Sequence, residues 1–350
     1  MDAIQMMKDK MQEYEGGSKT KMIYRNLGNT GLRVSVLSLG TDVTFGNQIP
    51  DEMAEKIVTT AYNNGINIFE TGEAYSDGEA ERTLGRILST KNWRRSSYIV
   101  CCRLSKSGDA QTEQGLSRKH LFEGLRSSLE RLQLEYVDIV IVTRQKDSSI
   151  PVEEVVRTCT HLIHLGWTFY WGTSEWLPSE IMQAQTIARQ FNLIPPSVDQ
   201  NELNLLNRGQ LQNMREVCVK LNIGVMTGSP LAGGILTGKY LDIIPNFSRA
   251  TLKGQQHMRD KLLSTEGLTQ REQVKQLCKI ASRIECTCAQ LAIAWCLRCP
   301  HVSSVVIGAA TVDQLQENIM SIMIYPNLTP SILSELNSLL TITDSNDNFL

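Results

Sequence analysis

Short β-branched apolar runs alternate with longer amphipathic stretches along most of the chain. The runs are Val34–Leu39, Ile66–Glu70, Tyr98–Arg103, Val137–Thr143, Phe169–Thr173, Ser197–Asn201, Gly224–Ser229 and Ser304–Gly308. Most are near-continuous rather than alternating, as strands covered on both faces require. Helical signals separate them. Pro50-Asp51-Glu52 opens a predicted helix over Met53–Asn64 that stops at Gly65, and Ser117 opens one through Leu132 with Leu121, Leu125, Leu129 and Leu132 on one face. Pro151 and Pro178, each followed by acids, start two more, the first ending at Gly166, and Thr311 opens another. Eight such units without a composition break predict an α/β protein, a single (β/α)8 TIM barrel. A doubly wound sheet is the alternative, but no Gly-x-Gly-x-x-Gly turn follows the first run.

Two additions decorate the predicted barrel. Met22–Val34 reads as a hairpin around Gly28-Asn29-Thr30-Gly31, placed to plug the barrel bottom. Leu231–Gly267 is too long for a simple connection and reads as a flap made mobile by Gly233, Gly234, Gly238 and Gly254. A last helix is predicted over Thr329–Leu340. Residues 1–21 read as a polar tail, 22–340 as the barrel, and 341–350 as a second polar tail.

Composition narrows the class. With 41 % hydrophobic and 21 % charged residues, 24 Gly and 10 Pro in 350 residues, collagen-like, disordered and coiled-coil proteins are excluded. A net charge of −2 leaves no broad electrostatic footprint for nucleic acid. Apolar runs such as Ile139–Val142 fall far short of the ~20 residues of a membrane span. Residues 1–21 carry four acids and four bases and no apolar leader core, which points to a soluble intracellular protein. Nine cysteines fit a reducing compartment. Cys286, Cys288, Cys296 and Cys299 invite a zinc reading, but Cys286–Cys299 reads as one continuous helix rather than the turns that zinc ribbons use, so no metal is expected.

In such barrels chemistry gathers at the C-terminal ends of the strands. The residues expected there are Thr41, Asp42, Glu70 with Tyr75, Arg103, Thr143, Ser174, Glu175, Gln200, Ser229 and Gly308. Singly, Thr41, Ser174 and Ser229 read as helix caps or turn residues; together they describe one mouth. Gly233 to Lys239 imitates a phosphate-binding loop, yet Tyr240 stands where a magnesium-binding hydroxyl belongs. Ser229-Pro230 lacks the glycines of a nucleophile elbow.

Several stretches carry a resemblance. Ile66 to Tyr75, Trp171-Gly-Thr-Ser174, Gly228 to Ala232, Gly238-Lys-Tyr and Val306 to Ala309 resemble the aldo-keto reductase superfamily. Tyr24-Arg-Asn-Leu-Gly28, Gly31-Leu-Arg-Val-Ser35, Val43-Thr-Phe-Gly46, Ser128 to Asp138, Ala188 to Pro196 and Gln290 to Arg298 resemble, more closely, the beta subunits of voltage-gated potassium channels. The resemblance runs from about Tyr24 to Leu340. It implies NADP(H) held across the barrel mouth, with Thr41, Asp42, Gln48, Ser174, Glu175, Gln200, Ser229, Pro230, Leu231, Ala232, Lys239, Phe247, Arg249, Gly308, Ala310, Gln314, Glu317 and Asn318 at cofactor-contacting positions. Lys239 and Arg249 suit a pyrophosphate and a 2′-phosphate, and Gly308 opens onto a helix start where anions bind. Glu175, Asp42 and Gly228 stand where the family has arginine, tryptophan and tryptophan.

The resemblance also assigns catalytic positions. The family reduces aldehydes with a tyrosine acid whose pKa a lysine lowers, the lysine being paired to an aspartate. Tyr75 stands, but Glu70 takes the aspartate position, Arg103 the lysine position and Thr143 that of an asparagine. A Glu70–Arg103 ion pair is expected. Arginine is a planar fork and no substitute for a point charge, and a misplacement of about 1 Å can cost ~10²-fold in rate. Very low activity is therefore expected. Three functions stay open: a channel auxiliary subunit that carries NADP(H), a genuine reductase of a small carbonyl substrate, and a scaffold without cofactor. The resemblance further implies a homotetramer, against the alternative of a monomer, docked on Shaker-type voltage-gated potassium channel alpha subunits. Its place would be cytoplasmic, at the plasma membrane only through the channel. With about twenty residues before the hairpin, fast inactivation by the N-terminus is not expected.

Overall fold

The computed structural model describes residues 22–340 apart from 106, 107, 109, 114, 145–149, 210–216, 247, 253 and 300. The chain starts as a hairpin, β1 (Tyr24–Asn26) against β2 (Arg33–Ser35), turned by Gly28 at φ 56. Eight parallel strands follow and close on themselves: β3 (Leu37–Gly40), β4 (Ile68–Gly72), β5 (Ile99–Leu104), β6 (Ile139–Thr143), β7 (Tyr170–Ser174), β8 (Val198–Glu202), β9 (Gly224–Gly228) and β10 (Val302–Ile307), with β10 pairing back onto β3. The expected barrel and hairpin are both present. The predicted strand Val34–Leu39 divides at Val36. Its N–H donates to Ile23 O at 2.9 Å and its carbonyl accepts from Val305 N–H at 2.8 Å, so the chain passes here from hairpin to barrel.

Helices cover the outside: α1 (Asp51–Asn63), α2 (Glu79–Thr90), α3 (Arg118–Leu132), α4 (Val152–His164) and α5 (Pro178–Gln190). Their starts follow the sequence signals. Ser117 Oγ accepts from His120 N–H at 3.2 Å, and Pro178 is the first residue of α5. After β9 come α6 (Gln256–Leu263), α7 (Thr265–Arg283) and α8 (Cys288–Arg298), and after β10 come α9 (Val312–Ile319), α10 (Ser321–Ile324) and α11 (Pro330–Leu340). The continuous helix expected over Cys286–Cys299 is shorter. Thr287 caps it by accepting from Gln290 N–H, which leaves Cys286 in the turn before it.

Leu231–Gly267 is not an open flap. Residues Ala232–Thr237 form a tight 3-10 turn and Gln256–Leu263 form α6, while Ile235, Leu236, Tyr240, Ala250, Met258 and Leu262 are buried. Its glycines serve geometry: Gly233, Gly234 and Gly238 have φ of 66, 96 and 81, and a Cβ on Gly233 would meet Met258 Cε at 2.9 Å.

The barrel interior is built in layers by the period of two along each strand. Ile68, Ile99, Cys101, Ile139, Ile141, Val198, Met226 and Val306 fill it, and Leu27 and Val34 of the hairpin, both fully buried, close the bottom. Two residues further along the strands the inward side chains become Glu70, Arg103, Thr143, Ser174 and Gln200, with Gly228 and Gly308 on β9 and just beyond β10. An apolar core thus ends in a polar mouth. Among the described residues no single helix is long and apolar enough to cross a membrane.

Candidate active site

The mouth gathers two groups of hydrogen-bonded side chains, one around Glu70 and one around Arg103. Tyr75 Oη donates to Glu70 Oε1 at 2.7 Å, and Gln200 Nε2 donates to the same oxygen at 3.2 Å. Arg103 Nε donates to Thr143 Oγ1 at 2.7 Å, and its Nη2 donates to Ser174 Oγ at 3.0 Å. Its carboxylate partner is Glu175, at 3.6 Å. Thr41 Oγ1 donates to Thr71 Oγ1 at 3.0 Å in the floor. β4, β5, β6, β7 and β8 each contribute, so residues far apart in sequence converge only because the barrel closes.

The expected Glu70–Arg103 ion pair is not formed among the described residues. The longer guanidinium reaches across β6 to β7, where its Nε meets Thr143 and its Nη2 meets Ser174 and Glu175. Glu70, a methylene longer than aspartate, meets Tyr75 and Gln200 instead. Arg103 keeps a place beside Tyr75; burial opposes its charge, and Tyr75, Glu70 and Glu175 outweigh that burial.

These contacts set the proton chemistry. Burial pushes the Glu70 carboxyl up to about 7, against the hydrogen bonds from Tyr75 and Gln200 and the Arg103 charge, which pull it down. Tyr75 is pushed well above its ordinary value of 10, by burial first and by the Glu70 charge second; Arg103 offsets only part of this. A tyrosine acid at neutral pH needs the opposite push. Here Tyr75 keeps its proton and donates it in a hydrogen bond to Glu70, and loss of that proton beside an ionised Glu70 would set two negative charges side by side.

The backbone around the mouth is strained. Val43, Ser76, Asp77, Glu175, Ser229 and Ala232, none of them glycine, have φ between 49 and 68 in the loops that leave β3, β4, β7 and β9. A support that sequence reading missed holds the Glu175 turn. Thr173 Oγ1 and Asn201 Nδ2 donate to Asp199, whose carboxyl burial raises to about 7, and Asn201 Oδ1 accepts from Glu175 N–H at 3.1 Å. The alternation in Val198-Asp-Gln-Asn201 is the signal that places Asp199 and Asn201 on the opposite face from Gln200. A second missed support lies behind Tyr75: Glu73 accepts from Ser105 N–H at 2.7 Å and pairs with His120, and that contact raises the imidazole's pKa.

The remaining expected positions ring this cluster. Asp42 lies 3.9 Å from Arg249, bridging β3 to the long β9 connection. Lys239 is exposed at a turn, its Nζ 5.1 Å from the Tyr240 ring centroid. Ser229 is exposed, Pro230 buried, and Leu231 and Ala232 half-buried. Gln314 Oε1 accepts from Ala310 N–H at 2.9 Å, and Asn318 Nδ2 donates to Gly308 O at 3.2 Å, so these side chains shape the start of α9. Glu317 lies half-buried on α9. A Cβ on Gly308 would meet nothing within 4 Å, and one on Gly228 only Asn201 O at 3.9 Å, so the β9–β10 side of the mouth is open. Among the described residues no side-chain hydrogen bond ties Gln48 to the cluster, and its backbone N–H donates to Thr44 O. Phe247 and the two predicted tails lie outside the described residues. All nine cysteines are free, and among the described residues no group of three His, Cys, Asp or Glu side chains is placed to hold a metal ion.

A closed eight-stranded parallel barrel floored by a hairpin, with a tyrosine, a carboxyl and a guanidinium together in its mouth, defines an oxidoreductase-like (β/α)8 protein. The aldo/keto reductase family profile matches residues 36–340, nearly the whole described span, and the chain belongs to that family.

Proposed function

We propose that this chain is a nicotinamide-cofactor carrier with little turnover, which holds NADP(H) and acts as an auxiliary cytoplasmic beta subunit of Shaker-type voltage-gated potassium channels. The observation that carries the low turnover is the Tyr75–Glu70 hydrogen bond, with Arg103 drawn toward Thr143 and Ser174. The mouth fits the cofactor. Lys239 and Arg249 offer two cations at its rim, the Gly228–Gly308 side is open, and polar groups line the rest. Lys239 and Arg249 hold phosphate, Arg249 the 2′-phosphate that distinguishes NADP(H); Gln314, Glu317 and Asn318 sit at the adenosine end; Ser174 and Gln200 border the ring. When bound, the cofactor supplies a hydride. The chain's part in reduction would be to give a proton to the carbonyl oxygen, and Tyr75 gives it poorly because burial first and the Glu70 charge second oppose the phenolate.

The channel reading rests on the resemblance of stretches such as Ser128 to Asp138 and Gln290 to Arg298 to potassium-channel beta subunits, and it carries with it a homotetramer, a heterologous ring in which each subunit offers two different faces. Calorimetry with NADPH and NADH tests the cofactor. NADPH binds tighter, by about 10- to 100-fold as a lost charge-assisted contact is worth, and Arg249→Ala removes the preference. Equal affinities in the parent protein overturn the assignment. Light scattering at micromolar concentration together with co-purification of a Shaker-type channel tests the partner, and a monomer that brings down no channel overturns it.

One observation favours a second reading, an active reductase of small carbonyl compounds. A Glu70 carboxyl with a midpoint at about 7 is protonated in mild acid, where it no longer opposes Tyr75. This reading requires a reduction rate that rises as pH falls through 7.

A further inference from the structure

The end of the barrel away from the mouth carries a pocket of about 330 Å3, where the floor hairpin meets the starts of β9 and β10 and the end of α8. Its walls come from β1 and the turn at Gly28, from Asn222 before β9, from the last residues of α8, from His301 and Ser303 around the start of β10, and from Tyr325 after α10. The hairpin turn is seated hard against this floor, since a Cβ on Gly28 would lie 2.3 Å from Gly224 N and 2.8 Å from Asn222 O.

The pocket is cationic. Arg25, Arg298 and His301 line it, and no Asp or Glu side chain does. Arg33 stands beside it, its Nη1 donating to Asn26 Oδ1 at 3.3 Å. The chain as a whole has 35 Lys and Arg against 37 Asp and Glu, so an acid-free cluster departs from its overall balance. Arg25 is fixed in place: its Nη1 donates to Val302 O, its Nη2 donates to Leu297 O at 3.0 Å, and its guanidinium lies 5.7 Å from the Tyr325 ring centroid. The exposed Arg298 lies over the same ring at 5.9 Å. Among the described residues none of the three arginines has a carboxylate partner. Capping the end of α8 through Leu297 O explains part of Arg25. It leaves three of the five guanidinium N–H groups of Arg25, and all five of Arg298, without a protein acceptor among the described residues. Guanidinium forks match phosphate oxygens two at a time.

We propose that this pocket is a second anion site, separate from the mouth, which takes a small phosphate-bearing ligand with two or more negative charges. Arg25 and Arg298 fork its oxygens, and His301 and the Asn222 amide border them. At about 30 Å3 per water molecule in the liquid, the pocket has room for a diphosphate and several waters. A free polyphosphate and a phosphorylated lipid headgroup share this chemistry.

The test uses the full-length protein and inorganic pyrophosphate in a buffer free of other phosphate. Calorimetry gives saturable binding that is weaker with inorganic phosphate and weakens with salt. The double variant Arg298→Gln, His301→Asn changes two exposed side chains, with asparagine suited to the left-handed backbone at position 301, and lowers the affinity about tenfold. Phenylglyoxal labelling read by peptide mass locates the ligand: pyrophosphate protects Arg25 and Arg298, and does so equally in Arg249→Gln, so the result stands whether or not the mouth holds NADP(H). Vesicles of phosphatidylcholine with and without phosphatidylinositol bisphosphate separate the two sources. Flotation of the parent, but not of the double variant, with the doped vesicles puts the phosphate on a lipid; pyrophosphate binding without flotation puts it on a soluble ligand. A parent protein with no saturable pyrophosphate binding overturns the assignment. So does equal affinity in the double variant, or protection confined to Arg249.

Discussion

Glu70→Gln keeps the shape of a protonated carboxyl and removes a buried group that titrates. In the folded chain the carboxyl midpoint lies at about 7, against 4.5 when exposed. Below pH 4.5 folded and unfolded chains both hold the proton and no difference arises. Between 4.5 and 7 the unfolded chain ionises while the folded chain keeps its proton, so stability falls as pH rises, and the loss is complete above 7. At about 1.4 kcal/mol per pH unit, the total comes to about 3 kcal/mol. Asp199, raised by burial to about 7, and His120, raised by Glu73, bend the parent's profile in the same direction. They bend the variant's profile equally, so the difference between the two proteins isolates Glu70. Urea unfolding followed by tryptophan fluorescence at pH 5 and pH 8 measures that difference. The variant gains about 2–3 kcal/mol on the parent between the two conditions. A difference that does not change with pH would refute the reasoning, because it would mean that Glu70 ionises in the folded chain as an exposed carboxyl does.

Other residues carry further tests. Leu27→Ala opens a void in the barrel bottom and costs about 2–5 kcal/mol of unfolding free energy, read by the same urea titration. Asn201→Ala takes a donor from buried Asp199 and the acceptor from Glu175 N–H, a loss of about 1–3 kcal/mol, with the stability slope between pH 4 and 7 steeper than the parent's. Asp42→Asn frees Arg249 and tightens NADPH binding about two- to fivefold by calorimetry, the scale of an exposed charge pair; unchanged affinity would show that the pair does not compete with cofactor.

The barrel was legible because most strands are near-continuous apolar runs bounded by glycine, proline or a helix cap, and because parallel strands must be covered on both faces. The break at Val36 was not legible: hairpin and barrel strand are both apolar, and only the hydrogen bonds to Ile23 and Val305 separate them. α6 escaped notice because Gln256–Leu263 is short and mostly polar, with only Met258 and Leu262 buried. Period two along the strands brought Glu70, Arg103, Thr143, Ser174 and Gln200 to one end. Residue type then gave the charge of Arg103 but not its direction, which depends on the reach of a guanidinium across β6. The left-handed turns at Val43, Glu175 and Ser229 had no glycine to announce them.

Single-turnover hydride transfer measures the central claim, that the mouth keeps its cofactor while its tyrosine has lost the means to give up a proton. Protein saturated with NADPH is mixed with excess aldehyde in a stopped-flow instrument, and cofactor absorbance is followed in the parent and in the double variant Glu70→Asp, Arg103→Lys. The parent binds NADPH and leaves it unconsumed on the time scale of ordinary enzyme turnover, about 10 per second. The double variant, with the phenolate relieved of the longer carboxylate and given a point charge, oxidises it at least 10²-fold faster, the scale of positioned acid catalysis. Parent protein that consumes its bound NADPH at several turnovers per second would contradict the claim.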